Sequence, residues 1–202
     1  MQEEALIIFV RQPEWGKVKT RLAADVGNDA ALAIYKKLLQ HTHSITSVLN
    51  CAKFVYSAES VGGNDQWQQG YEKRLQAGSD LGERMKAAFT DLFQKGYQKI
   101  CIIGSDCFEL TAAVLESAFQ QLNTHDVVIG PATDGGYYLL GMKGSLKELF
   151  AGIDWSTEHV FAQTKAHLER QDFTYAQLPK LSDVDTLADV PGAWLRELGL
   201  SK

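Results

Sequence analysis

Short apolar runs, separated for the most part by stretches of helical periodicity, constrain this chain more than any other feature. The runs fall at residues 5–10, 53–57, 99–104, 126–131, 136–142 and 174–178. Runs of this length that are apolar almost throughout suit strands buried on both faces. Residues 29–49, 81–95, 112–122, 157–170 and 187–198 carry the apolar spacing of amphipathic helices. Strands alternating with helices predict an α/β fold with a mostly parallel sheet, helices on both faces and right-handed crossovers. One linker departs from the alternation. Residues 132–135 (Ala-Thr-Asp-Gly) are too few for a helical crossover, so the flanking strands either pair antiparallel, making the sheet mixed, or bend to separate positions. The polar segment 60–78, with Trp67 and Tyr71, reads as an irregular excursion or a short edge strand. Asp80 precedes Glu83 at capping-box spacing and marks a helix start, and Gly96 marks its end.

At 202 residues the chain fits a single domain spanning 1–202. Its net charge of -5 argues against non-specific nucleic-acid binding and makes any basic cluster a local feature. No apolar run approaches the roughly 20 residues that span a bilayer. The start, Met1-Gln2-Glu3-Glu4, is acidic, unlike a secretory signal. Cys51, Cys101 and Cys107 form a sparse, odd set that suits a reducing cytoplasm, with no zinc-ligand spacing. Cys107 follows a candidate site aspartate, where a packed thiol is favoured over a reactive one. The five histidines form no ligand pattern.

The first strand runs into Arg11-Gln12-Pro13-Glu14-Trp15-Gly16-Lys17-Val18-Lys19-Thr20-Arg21-Leu22. Lys17, Lys19 and Arg21 are thereby expected in the turn between the first strand and the first helix, the sheet edge where open α/β folds bind ligands. Three cations beside Gly16 point to a phosphate-bearing ligand; a solvated basic loop is the plainer alternative. A P-loop is not present: no first glycine precedes Gly16-Lys17, and Val18 stands where a hydroxyl belongs.

Acidic residues mark other strand ends. Asp106, just past the strand at 99–104, suits a hard divalent cation, or else caps the next turn. Asp183 and Asp185 are two apart, so in an extended segment they share a side. One can complete a metal site with Asp106 while the other anchors the loop; Asp185 or Thr186 can also serve as an N-cap, with Asp189 in the first turn. Two carboxylates are sufficient protein ligation for a magnesium–diphosphate complex. Gly130 to Gly141 contains Asp134-Gly135-Gly136, a tight turn that lets a ligand lie against backbone, with Asp134 able to accept a hydrogen bond or a proton from an acceptor. In Gln76-Ala77-Gly78-Ser79-Asp80-Leu81-Gly82-Glu83-Arg84-Met85, a helix N-terminus is placed to meet an anionic or polar ligand, or is simply a capped surface helix. Tyr137, Tyr138 and Trp155 are candidate stacking groups for a sugar or base.

Together these motifs, with Trp155-Ser156-Thr157, resemble a bacterial glycosyltransferase-like family of the nucleotide-diphospho-sugar transferase superfamily, over residues 9–189. More distantly the chain is similar to cytidylyl- and guanylyltransferases. One departure is Phe108, where the family usually has proline after Gly104-Ser105-Asp106-Cys107. The resemblance implies a glycosyltransferase A-type fold, a Rossmann-like three-layer α/β/α sandwich. It implies that Gly16, Lys17, Lys19 and Arg21 contact phosphates and that Gly78 and Asp80 border the nucleotide. Asp106 would bind Mg²⁺ or Mn²⁺ with Asp185 as second ligand. Asp134, Gly135, Gly136, Trp155, Ser156 and Thr157 would face the acceptor. Asp106, Asp134 and Lys19 would carry the chemistry.

The expected function is metal-dependent transfer from a nucleotide-activated substrate, with glycosyl transfer from a nucleoside-diphosphate sugar to a small-molecule acceptor first. Nucleotidyl transfer from a nucleoside triphosphate to a phosphorylated acceptor is the second reading. A non-catalytic nucleotide-binding module is a third, of another class. The expected protein is cytoplasmic, without nucleic-acid or membrane partners, and compatible with a homodimer.

Overall fold

The computed structural model describes residues 3–60 and 65–200. Met1 and Gln2 of the acidic start, and residues 61–64 of the polar segment 60–78, lie outside the described residues. The chain runs β1 (Glu4–Val10), α1 (Thr20–Val26), α2 (Asn28–Ser47), β2 (Ala52–Ser57), β3 (Glu72–Leu75), α3 (Leu81–Gln94), β4 (Lys99–Ile103), α4 (Ala112–Gln121), β5 (Val127–Pro131), β6 (Tyr137–Lys143), α5 (Val160–Arg170), β7 (Tyr175–Gln177) and α6 (Gly192–Glu197). The strands form one seven-stranded sheet in the order β3-β2-β1-β4-β6-β5-β7. β6 is antiparallel to both neighbours, and every other pairing is parallel. The short 132–135 linker thus makes the antiparallel pair, and the sheet is mixed but mostly parallel.

Period-two alternation along β1 builds two cores from one strand. Leu6, Ile8 and Val10 face the layer of α1, α2 and α4, with Leu22, Ile34, Leu38 and Leu115. Ala5 and Ile7 face the layer of α3 and α5, with Phe89, Leu92 and Leu168. Leu6, Ile7, Ile8, Leu22, Phe89 and Leu92 are fully buried. Each such side chain contributes about 1.5–3 kcal/mol of hydrophobic stabilisation. The result is the expected α/β/α sandwich.

The parallel strands all end at one edge. The loops after β1, β2, β3, β4, β5 and β7 therefore gather there, and the motifs at 11–22, 76–85, 104–107, 132–136 and 183–186 lie in them or at the helix starts that follow, whereas Trp155-Ser156-Thr157 comes after the antiparallel β6. The polar segment after β2 ends in the edge strand β3, one of the two readings its sequence allowed. Three details differ from the sequence expectation. Arg21 is not in the β1 turn: Thr20–Val26 already forms the short helix α1, anchored by buried Leu22 and ended by Gly27 at φ 81. Residues 157–159 stay outside α5, which begins at Val160. The last helix is divided: a 3-10 turn (Leu187–Asp189) stops at Val190, and α6 restarts after Pro191, whose missing N–H cannot continue a ladder. Asp80 caps α3, accepting from Glu83 N–H at 2.8 Å, and Gly96 lies just past its end at φ 93. Among the described residues no helix is long and apolar enough to cross a membrane.

Candidate active site

The site grows from the end of β4. Its strand delivers Ser105 and Asp106 to the edge, and the 181–186 loop after β7 is tied directly to it. Val184 N–H donates to the Asp106 carbonyl at 2.9 Å. Ser182 N–H donates to Glu109 Oε2 at 2.8 Å. Asp189 Oδ2 accepts from Thr186 N–H at 2.7 Å and from Asp185 N–H at 3.2 Å, which fixes the turn that carries Asp185. These hydrogen bonds hold its carboxylate low despite partial burial. On the other flank, Thr133 N–H donates to the Leu181 carbonyl at 3.0 Å, joining the 132–136 loop to the same frame.

Lys19 reaches into this frame from the β1 loop. Its Nζ lies 3.0 Å from Asp106 Oδ2 and 3.0 Å from Asp185 Oδ1, and its side chain is 5% exposed. Its backbone is left-handed, φ 48 and ψ 47, a conformation that side-chain-bearing residues seldom adopt outside specialised turns. Burial disfavours the ammonium, but Asp106 and Asp185 outweigh it and hold the Lys19 pKa above the ordinary lysine value. Asp106 Oδ1 is buried with no hydrogen-bond partner among the described residues. Asp183 is pushed up to about 7, first by burial and then by Asp106, with Lys19 opposing and Asp134 and Asp185 adding. Two carboxylates thus contact one ammonium, with Asp183 and Asp134 nearby in electrostatic reach.

This donor set fits a hard divalent cation. Among the described residues, no three His, Cys, Asp or Glu side chains are gathered as a metal cage. The protein would supply Asp106 and Asp185, and water and phosphate oxygens would supply the rest, as is usual for Mg²⁺. The orphaned Asp106 Oδ1 is the oxygen with no other task.

The other cations named from the sequence are placed elsewhere. Lys17 is 71% exposed and pairs with Glu14 within its own loop, which raises its pKa. Gly16, at φ 73, is in the same outer turn, where Trp15 Nε1 donates to Asp29 at 2.9 Å. Arg21 is exposed on α1. The three cations read together in the sequence therefore do not converge; alternate residues of an irregular loop followed by a helix face different ways, and Lys19 alone meets the carboxylates.

A second part of the site lies around the start of α3. Gln76 Nε2 donates to the Tyr56 carbonyl at 3.0 Å and the Val10 carbonyl at 3.4 Å, closing the ends of β2 and β1. Gly78 accepts from Arg84 Nε at 3.1 Å. Trp155 lies flat against Gly82, where a Cβ would come within 2.1 Å of the indole nitrogen. Gly135, at φ 90, likewise leaves no room for a side chain, because Glu158 backbone lies 2.1 Å from where its Cβ would be. Asp134, an exposed residue, accepts at Oδ1 from Gly136 N–H at 2.8 Å, which sets the turn. Ser156, at φ 64, is exposed, while the Thr157 hydroxyl donates to the Asp154 carbonyl at 2.7 Å. Gly82–Trp155 and Gly135–Glu158 contacts therefore bring the 132–136 loop, the 153–159 segment and the start of α3 together.

Two stacking candidates are structural instead. Tyr138 is buried, and its hydroxyl donates to the Pro179 carbonyl at 2.9 Å. Tyr137 points to Met85 Sδ, and burial raises its pKa. Burial also pushes the Cys107 thiol up to about 12, so it is a packed thiol. Sequence reasoning gave no separate role to Gln12 or Ser57. With Val10, Arg11, Trp67 and Lys73 they line a cavity of about 170 Å³ beside the β1 and β2 ends. Only their position after strand ends could have marked them.

Sequence and fold comparisons relate the chain to known proteins. Residues 38–157 match the family DUF2064, described as an uncharacterized protein conserved in bacteria. No curated protein matches the chain. A crystal structure from Desulfovibrio desulfuricans G20, described as a candidate nucleotide-diphospho-sugar transferase, is 32% identical with a TM-score of 0.89, covering 98% of this chain and 96% of that one. The inositol-1-phosphate CTP transferase of T. maritima shares the fold at 11% identity and a TM-score of 0.59, covering 98% and 96%. So does Rv0371c of Mycobacterium tuberculosis H37Rv, solved in complex with manganese, at 12% identity and a TM-score of 0.57, covering 93% and 95%. The chain belongs to the DUF2064 family, within the nucleotide-diphospho-sugar transferase superfamily.

Proposed function

We propose that the protein is a metal-dependent glycosyltransferase that uses a nucleoside-diphosphate sugar. The observation that carries this reading is Lys19 held at 3.0 Å by both Asp106 and Asp185, with Asp106 Oδ1 left without a partner. A divalent cation, Mg²⁺ or Mn²⁺, held by Asp106 and Asp185 would neutralise charge on a diphosphate leaving group. Lys19 orients the same phosphates and stabilises the negative charge that gathers there as the bond to the sugar breaks. The cavity beside Gln12 and Ser57 is a fitting place for the base, and Gly78 and Asp80 would border another part of the nucleotide. Asp134 faces the acceptor hydroxyl, where its free oxygen can take the proton. Gly135, Gly136, Trp155, Ser156 and Thr157 shape the acceptor side, and Lys17, Arg21 and Gly16 form an outer rim that a longer phosphate chain can reach.

Nucleotidyl transfer to a phosphorylated acceptor is the second reading, supported by the T. maritima neighbour's CTP transferase activity. The charge of the acceptor side favours the first. The segments 132–136 and 153–159 contain Asp134, Asp154 and Glu158 and no lysine or arginine. Such a wall attracts a neutral or cationic hydroxyl compound and repels a phosphate. Incubation with nucleoside triphosphates and nucleotide sugars, with Mg²⁺ or Mn²⁺, tests the choice. Free nucleoside diphosphate with a glycosylated product is the expected result. Pyrophosphate release would establish the second reading, and binding without turnover across both donor classes would favour the non-catalytic module.

A further inference from the structure

We infer that Lys19 makes this site select a divalent cation already bound to a polyphosphate over the free cation. The inference rests on the assignment of Asp106 and Asp185 as the metal ligands. In the structure their ligating side is occupied by a cation that belongs to the protein: the Lys19 ammonium lies 3.0 Å from an oxygen of each. It is not a surface contact that yields freely, because the side chain is 5% exposed and the backbone behind it is held left-handed at the start of α1. The backbones that carry the two carboxylates are tied to each other. The Val184–Asp106 backbone bond and the Ser182–Glu109 bond lock the two loops together, and Asp189 fixes the turn that carries Asp185.

A free divalent cation therefore meets a like charge at the place where it must bind, and like charges a few ångströms apart disfavour each other strongly away from bulk water. Phosphate oxygens reverse the balance. They bring negative charge to the ammonium, whose three N–H donors can then serve phosphate as well as carboxylate. The excess of carboxyl groups over cations, with Asp106 Oδ1 unpartnered, is the attraction that remains for the metal once Lys19 is engaged. Lys19 is in this sense a specificity-determining residue. It suppresses unproductive metal binding and couples metal affinity to the arrival of the donor's diphosphate.

The test uses the full-length protein, Mn²⁺ as the metal and inorganic pyrophosphate as a base-free diphosphate. Protein-bound Mn²⁺ is read by equilibrium dialysis, which counts free Mn²⁺ and free Mn²⁺–pyrophosphate alike as unbound. For the unaltered protein, the Mn²⁺–pyrophosphate complex is expected to bind about tenfold or more tightly than Mn²⁺ alone, within the usual range of coupling between ligands. Lys19→Met is expected to bind Mn²⁺ alone about tenfold more tightly than the unaltered protein and to lose most of the preference for the complex. Equal affinity of the unaltered protein for free and pyrophosphate-bound Mn²⁺ would overturn the inference without any variant being needed. So would a folded Lys19→Met protein, judged by circular dichroism, whose affinity for free Mn²⁺ is unchanged. Those two results leave the metal assignment standing. Binding of neither form by the unaltered protein would remove the assignment itself, and the inference with it.

Discussion

Asp106→Asn separates a functional carboxylate from a structural one, because the structure predicts opposite effects on binding and on stability. The native group carries a liability: Oδ1 is buried without a partner, and an unmet buried polar atom costs about 1–3 kcal/mol. It also repels Asp183, whose pKa of about 7 owes more to Asp106 than to any other charge. Asparagine removes the charge and so relieves the repulsion, while its amide leaves a buried polar atom unmet as before. Against this stands the loss of an ionic contact to Lys19. Breaking a fully buried pair costs about 3–5 kcal/mol. The cost here is well below that range, because Asp106 is 41% exposed and Lys19 keeps Asp185 at 3.0 Å. The terms oppose each other at similar size, so the net change should be within about 1 kcal/mol, or roughly 2–4 °C in Tm for a chain of this length. Thermal unfolding with and without Mn²⁺ and a panel of nucleotides and nucleotide sugars reads both quantities. The variant should match the unaltered protein in Tm alone and lose the ligand-induced rise. A drop equivalent to about 3 kcal/mol or more would refute the reasoning, since it would make Asp106 a structural residue whose partners outweigh its crowding.

Gly82→Ala should destabilise the protein by about 1–2 kcal/mol, because a methyl group within 2.1 Å of the Trp155 ring must displace a large side chain, and overpacking outweighs the gain in helix propensity. Urea unfolding checks it, and a variant as stable as the parent would mean that the 153–159 segment yields freely. Asp126 accepts hydrogen bonds from Thr174 Oγ1 at 2.6 Å and Thr174 N–H at 3.0 Å, which hold its carboxyl below the ordinary value. Its folded pKa is depressed, so its contribution to stability is present above the unfolded value and is lost as pH falls through the folded one. Asp126→Asn should therefore lower stability by about 1 kcal/mol at pH 7, and the gap from the parent should close below about pH 4 in a pH series of denaturation midpoints. A gap that stays constant down to pH 2 would contradict the assignment.

Most of the sheet was legible because buried parallel strands are written as continuous apolar runs. β1, β2, β4, β5, β6 and β7 lie within two residues of the runs that predicted them, and the short linker before β6 left two courses open, of which the antiparallel one is found. The edge strand β3 reads Glu-Lys-Arg-Leu and has no apolar signal, since only its backbone is needed for pairing and its central side chains, Lys73 and Arg74, are held by ion pairs. α1 was hidden for a different reason: a two-turn helix with one fully buried residue, Leu22, leaves no periodicity to detect. The candidate site was legible as a set of strand-end motifs, and its internal arrangement was not. Lys17, Lys19 and Arg21 look equivalent in the sequence, and only the left-handed turn at Lys19 and a contact across 166 residues to Asp185 distinguish one of them. Likewise, nothing local in Gly82 or Trp155 announces that one is shaped to receive the other.

Diffraction from crystals of the protein soaked with Mn²⁺ and a nucleoside diphosphate, recorded at the manganese absorption edge, tests the central claim most directly. An anomalous peak between Asp106 and Asp185 is expected, with the diphosphate against it and Lys19 turned to the phosphate oxygens. A nucleotide bound with its phosphates away from these residues, or manganese held elsewhere on the molecule, would contradict it.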